Sequence, residues 1–152
     1  MTEFTSAILD SQGDVSHWHY VAYDQLNRDL LPDEEGIGLI FIETSWKAKQ
    51  LPYHKQKLAL LLSNQRHFAL EMQDAGYPVR YVFSEKEYGE ILGGICKELG
   101  KITATKPAEL TLRRSLQPLI DSGEIKLLDH KGWLTTTAVS YTHLTLPTIA
   151  IV

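Results

Sequence analysis

Between Tyr53 and Tyr77 the chain reads YHKQKLALLLSNQRHFALEMQDAGY. Leu58, Leu61, Leu62, Phe68 and Met72 recur at three- and four-residue steps, the period of a buried helical stripe. Lys55, Lys57, Asn64, Arg66 and Gln73 fall on the opposite side, and Gly76 ends the run. A strand-like segment, IGLIFIE, precedes this helix and another, PVRYVF, follows it. Two strands joined by a long helix form a β-α-β unit, which requires a parallel sheet. Such a sheet binds ligands beyond the carboxyl ends of its strands.

The pattern continues on both sides. HWHYVAY (17–23) reads as a first strand, and Asp24 to Glu35 as a loop with a short helical turn. The second strand is Ile37 to Thr44, apolar almost without interruption, as in a strand covered on both faces. The third is Val79 to Phe83. Ser84 is placed as an N-cap, with Glu87 completing a capping box, before a helix carrying Tyr88, Ile91, Leu92, Ile95 and Leu99. KITATKP (101–107) is a fourth strand. Pro107 to Ser122 is a further helix that Pro118 is expected to kink, and EIKLLDH (124–130) is a fifth strand. The fold class is therefore α/β: a Rossmann-like five-stranded parallel sheet, order 3-2-1-4-5, with helices on both faces.

At 152 residues the chain is one domain's worth. Residues 1–16 are small and polar and are expected to be a disordered leader. Residues 17–137 form the domain. Residues 138–152, without helical period or charge, read as a tail that is not native to it. The net charge of −4 gives no bulk attraction for nucleic acid. The basic faces (Lys55, Lys57 and Arg66; Arg113 and Arg114) read as solvated surfaces. The N-terminus has no secretion signal and no apolar run is long enough for a bilayer, so the expected location is cytoplasmic, away from membranes.

Motifs for chemistry are sparse. After the first strand stands Tyr23-Asp24-Gln25-Leu26, with no glycine-rich phosphate loop, which argues against a P-loop ATPase or a pyrophosphate-bound dinucleotide. Cys96 is the single cysteine and reads as a small buried hydrophobe. One thiol cannot hold an iron–sulfur cluster or zinc alone. His54 reads as a structural hydrogen-bonding group. His17 and His19 share a strand face and lack a third ligand, so no metal site is assigned. No catalytic residue stands out. The candidate binding residues lie at two strand ends: Asp24 and Gln25 after the first, Glu43, Thr44 and Ser45 at the second, with Leu61 on the helix beside them. Two carboxylates, an amide and two hydroxyls suit a polyol or a heterocycle with several polar atoms. Loop capping by Asp24 and Glu43 is the competing reading.

An ordered series of short motifs adds to this. Asp24-Gln25-Leu26, Ile42-Glu43, Tyr53 to Leu58 (YHKQKL), Arg66 to Ala69 (RHFA) and Ala75 to Tyr81 (AGYPVRY) follow one another along the chain. The series, from about Tyr20 to Thr136, resembles the amino-terminal domain of bacterial photolyase-related proteins. These form the iron–sulfur branch of the cryptochrome/photolyase family, which includes prokaryotic (6-4) photolyases. The resemblance implies an antenna domain for 6,7-dimethyl-8-ribityllumazine in a flavoprotein for light-driven DNA repair. FAD, a 4Fe-4S cluster and contact with damaged DNA would belong to a C-terminal helical domain, not to these residues. It follows that this fragment is itself not catalytic, its partner a small-molecule chromophore and its expected state a monomer. In that family a glycine commonly precedes the aspartate matched by Asp24. Tyr23 stands there in this chain, where its bulk is expected to crowd the chromophore. Glu43 matches the acid ending the second strand, where a second acid commonly follows. Trp46-Lys47-Ala48-Lys49 stands there instead. Pro107 and Glu109 match a Pro-x-Glu turn, with Thr111 where an arginine is expected. The other reading of the residues is a stand-alone Rossmann-like small-ligand or nucleotide-binding module without photochemistry.

Overall fold

The structure is a computed structural model that describes residues 2–8, 14–50, 52 and 54–131. Its strands are β1 (His17–Tyr20), β2 (Ile37–Thr44), β3 (Val79–Ser84), β4 (Ile102–Thr105) and β5 (Ile125–Leu128). They form one sheet in the order β3-β2-β1-β4-β5, and every pairing is parallel. The helices are α1 (Thr2–Ala7), α2 (Trp46–Gln50), α3 (Lys55–Asp74), α4 (Tyr88–Leu99) and α5 (Leu110–Asp121), with a 3-10 turn at Arg28–Leu30. The α/β class and the strand order are those expected from the hydrophobic pattern.

The two faces of the sheet carry separate cores. Leu39 and Phe41 of β2 pack with Val21, Leu31, Val79 and with Phe68, Ala69 and Met72 of α3. Ile40 and Ile42 point the other way, into a core with Ile91, Leu92 and Ile95 of α4 and Leu112 and Leu116 of α5. This alternation is the two-residue period of a strand. It explains why β2 is buried from Ile37 through Ile42. Gly38 is required here because the Trp18 ring of β1 lies against it: a Cβ at position 38 would sit 2.6 Å from that ring.

Several details differ from the sequence reading. β1 ends at Tyr20 rather than at 23. The Val21 amide still bonds Ile40 O at 3.0 Å, but the chain then turns, with Gln25 N on Ala22 O. Residues 46–50, expected as loop, form α2: Thr44 Oγ1 accepts from Trp46 N at 3.2 Å and starts the turn. The α4 capping box is absent. Glu87 is the N-cap residue and makes no side-chain cap bond, and its carboxylate instead accepts from Ser115 Oγ. α5 runs as one helix past Pro118. Within the segment read as a leader, Thr2–Ala7 is helical, and Phe4 packs edge-on against Tyr81 with ring centres 4.8 Å apart. Only the second half of the α3 stripe is fully buried, at Phe68, Ala69 and Met72, whereas Leu58, Leu61 and Leu62 are partly covered. The tail 138–152 lies outside the described residues. Among the described residues no helix is long and apolar enough to cross a membrane.

Candidate functional site at the strand carboxyl ends

The sheet order fixes where the crevice lies. β2 and β3 extend from one side of β1, and β4 and β5 from the other. The strand order reverses between β1 and β4, and that reversal opens a crevice at the carboxyl ends. The residues there are Tyr23, Asp24 and Gln25 after β1 and Lys106 to Glu109 after β4.

The six residues singled out in the sequence do not form one cluster. Asp24 is exposed in the turn after β1. Gln25 is 3% exposed, and its amide donates to Thr105 O at 3.2 Å and to Lys106 O at 3.4 Å. It staples the β1 loop to the end of β4. Glu43 continues the α3 face of β2. Its carboxylate accepts from Arg66 Nε (2.9 Å), Arg66 Nη2 (2.5 Å) and the Tyr81 hydroxyl (2.7 Å). Arg66, read from the sequence as part of a solvated basic face, therefore turns inward, and its bond to Glu43 raises its already high pKa. Burial, then the bond to Glu43, likewise pushes the Tyr81 phenol well up. Thr44 faces the other side, where its hydroxyl donates to Lys86 O at 2.6 Å. The Ser45 hydroxyl is buried and has no hydrogen-bond partner. Leu61 lies on α3, on the Glu43 side, partly buried.

A trio that the sequence reading did not assemble stands at the crevice instead. The Tyr23 hydroxyl donates to Glu109 Oε2. Lys47 Nζ of α2 donates to the Tyr23 hydroxyl at 2.5 Å and to the same Glu109 oxygen. The ammonium also lies 4.3 Å from the centre of the Tyr23 ring, a cation–π distance. Burial lowers the Lys47 pKa and raises that of Glu109. The sequence signal was thin: Lys47 lies on a five-residue helix, and Glu109 meets it from 62 residues away.

Other residues resolve into structural roles. His54 is the N-cap of α3, its Nδ1 accepting from Gln56 N at 3.2 Å. His19 is buried, with Nδ1 2.9 Å from Thr103 Oγ1. Cys96 is buried, and burial pushes its thiol up to about 11. Two clefts lie away from the crevice. One of about 520 Å³ runs between α1 and α3, lined by Phe4, Leu62, Arg66 and Leu70 among others. The second, about 310 Å³, sits at the amino-terminal edge near Arg28, Gly36 and Tyr77.

The model of the family described as deoxyribodipyrimidine photo-lyase-related protein matches residues 19–145. The chain belongs to this photolyase-related family. Among curated proteins it is similar to a (6-4) photolyase of Agrobacterium fabrum (strain C58 / ATCC 33970), 28% identical over 91 residues. That alignment covers 55% of this chain and 18% of the relative. The photolyase-related chain thus spans under a fifth of the curated protein it matches. Its match begins in β1 and takes in both sides of the strand-order reversal.

Proposed function

We propose that the described domain is the antenna-chromophore-binding domain of a photolyase-related flavoprotein for light-driven DNA repair. The observation that carries this is the family match over residues 19–145, on a sheet of order β3-β2-β1-β4-β5. In this reading FAD, a 4Fe-4S cluster and the DNA contact belong to other parts of a longer polypeptide, and these residues make no bond-breaking step. A stand-alone small-ligand module is the less favoured reading, because the match is to a photolyase-related family.

The proposed ligand is 6,7-dimethyl-8-ribityllumazine, a bicyclic ring with a polyol chain. The polar groups of the crevice suit it in kind. Asp24 offers an exposed carboxylate for ring N–H or ribityl O–H groups. Glu43 is committed to Arg66 and Tyr81, so its part is to hold α3 against β2. Gln25 fixes the loop that presents Asp24. Tyr23 stands in the crevice as it is, bonded to Glu109 and Lys47, so ring binding requires the Tyr23 side chain to move. When bound, the chromophore would absorb near-ultraviolet or blue light and pass the energy to a flavin.

The direct test uses the complete product of the gene. Incubated with an oligonucleotide carrying a (6-4) photoproduct, it should restore the undamaged bases under blue light and not in the dark. Equal product in light and dark, or none with any ultraviolet photoproduct, would contradict the photolyase reading.

A further inference from the structure

Tyr23 is more than a bulky loop residue. It stands at the strand-order reversal, where a ligand of this fold would enter, and its hydroxyl is held by groups from two other segments: Glu109 before α5 and Lys47 on α2. Hydrogen bonds to charged partners are stronger than neutral ones. The ring itself packs against the core between the sheet and α4 and α5, and the Lys47 ammonium lies 4.3 Å from its centre.

We propose that Tyr23 is the specificity-determining residue of this crevice: its ring, pinned by Glu109 and Lys47, occupies the space a planar heterocycle would take, and such a ligand binds only when the ring is displaced. The nature of the ligand rests on the antenna reading above; the closure of the crevice does not.

Two features make the ring the moving part. The backbone below it is fixed, because Gln25, two residues on, is buried and bonded to the β4 carbonyls. Opening therefore proceeds by rotation of the Tyr23 side chain. The pair left behind is also self-sufficient. Lys47 contacts Glu109 directly, so withdrawal of the phenol leaves no charge without a partner. The loss is limited to the phenol's own hydrogen bonds and ring contacts, a cost that a well-stacked heterocycle can offset.

The test pairs a ligand-free readout with a titration. An amine-acylating reagent is applied to the folded protein, and modification at each lysine is followed by peptide mass spectrometry. The Lys47 side chain is 21% exposed against 59% for Lys49 on the same helix. With the ring in place, Lys47 should react about tenfold more slowly than Lys49. Tyr23→Gly should bring the two rates together. It should also tighten binding of 6,7-dimethyl-8-ribityllumazine about tenfold. Tyr23→Phe, which keeps the ring and loses its hydroxyl bonds, should fall between, and it serves if the glycine variant does not fold. Equal rates at Lys47 and Lys49 in the unmodified sequence overturn the proposal. So does a folded Tyr23→Gly variant that binds lumazine measurably and no more tightly than the parent. Unmasking of Lys47 with no lumazine bound by any variant upholds the closed crevice and removes the antenna reading instead.

Discussion

Arg66 of α3 grips Glu43 of β2 through both carboxylate oxygens, at 2.9 and 2.5 Å. Tyr81 of β3 bonds the same carboxylate at 2.7 Å, and Gln65 joins Tyr81 to Ile42 O. Three elements meet at one acid whose side chain is 12% exposed. Removing one partner of such a pair strands the other, whereas replacing both with apolar groups is often tolerated. Glu43→Ala should therefore destabilise the fold by about 2 kcal/mol, and the double change Glu43→Leu with Arg66→Met by less. Urea denaturation of the three proteins measures this. A double variant less stable than Glu43→Ala contradicts it.

His19 gives the domain an acid-sensitive point. Burial, with His17 and Lys131 as lesser contributors, lowers its pKa to about 4. In the unfolded chain the imidazole returns to about 6.5. The unfolded state therefore binds more protons between these values, and stability falls as pH drops from about 6.5 towards 4. Up to about 3 kcal/mol is involved. His19→Gln retains a group that can reach Thr103 and removes the titration. Its loss of stability between pH 7 and pH 4.5 should be smaller than that of the parent; identical losses would show that His19 does not titrate in this way.

The close approach of Gly38 and Trp18 predicts intolerance of any side chain at position 38. A methyl group there meets the indole at 2.6 Å, so Gly38→Ala should cost about 1–3 kcal/mol through overpacking. Adding Trp18→Leu should recover part of that loss. Thermal melts of the single and double variants decide it, and a melting temperature unchanged in Gly38→Ala rules it out.

Cys96 offers a direct probe of packing because it is the single cysteine. Its thiol is buried and held protonated, its pKa raised to about 11. The thiolate is the reactive species. An aromatic disulfide reagent should modify the native protein at least about a hundredfold more slowly than the urea-unfolded chain. Comparable rates would mean that α4 does not pack as described.

The fold was readable because its signals are periodic. The nearly continuous apolar run of β2 and the spaced apolar residues of the helices each identify an element without tertiary information. The candidate site was less so. Glu43 and Thr44 are neighbours on a strand, so their side chains leave opposite faces, and that parity was available in the sequence. The closure of the crevice was not. It depends on α2, a five-residue helix with weak local signal, and on a contact between Lys47 and Glu109 that only the β1–β4 pairing creates. Arg66 looked like surface for a related reason: helical position alone does not reveal that an acid waits on the neighbouring strand.

An antenna role requires the strand-end crevice to accept a chromophore. Fluorescence of 6,7-dimethyl-8-ribityllumazine, followed while the purified chain is titrated in, should change saturably with a dissociation constant of roughly 0.1 mM, and Asp24→Ala should weaken the binding severalfold. A flat signal for the parent chain and for Tyr23→Gly alike, both folded, would contradict the antenna role and leave only the family and the sheet.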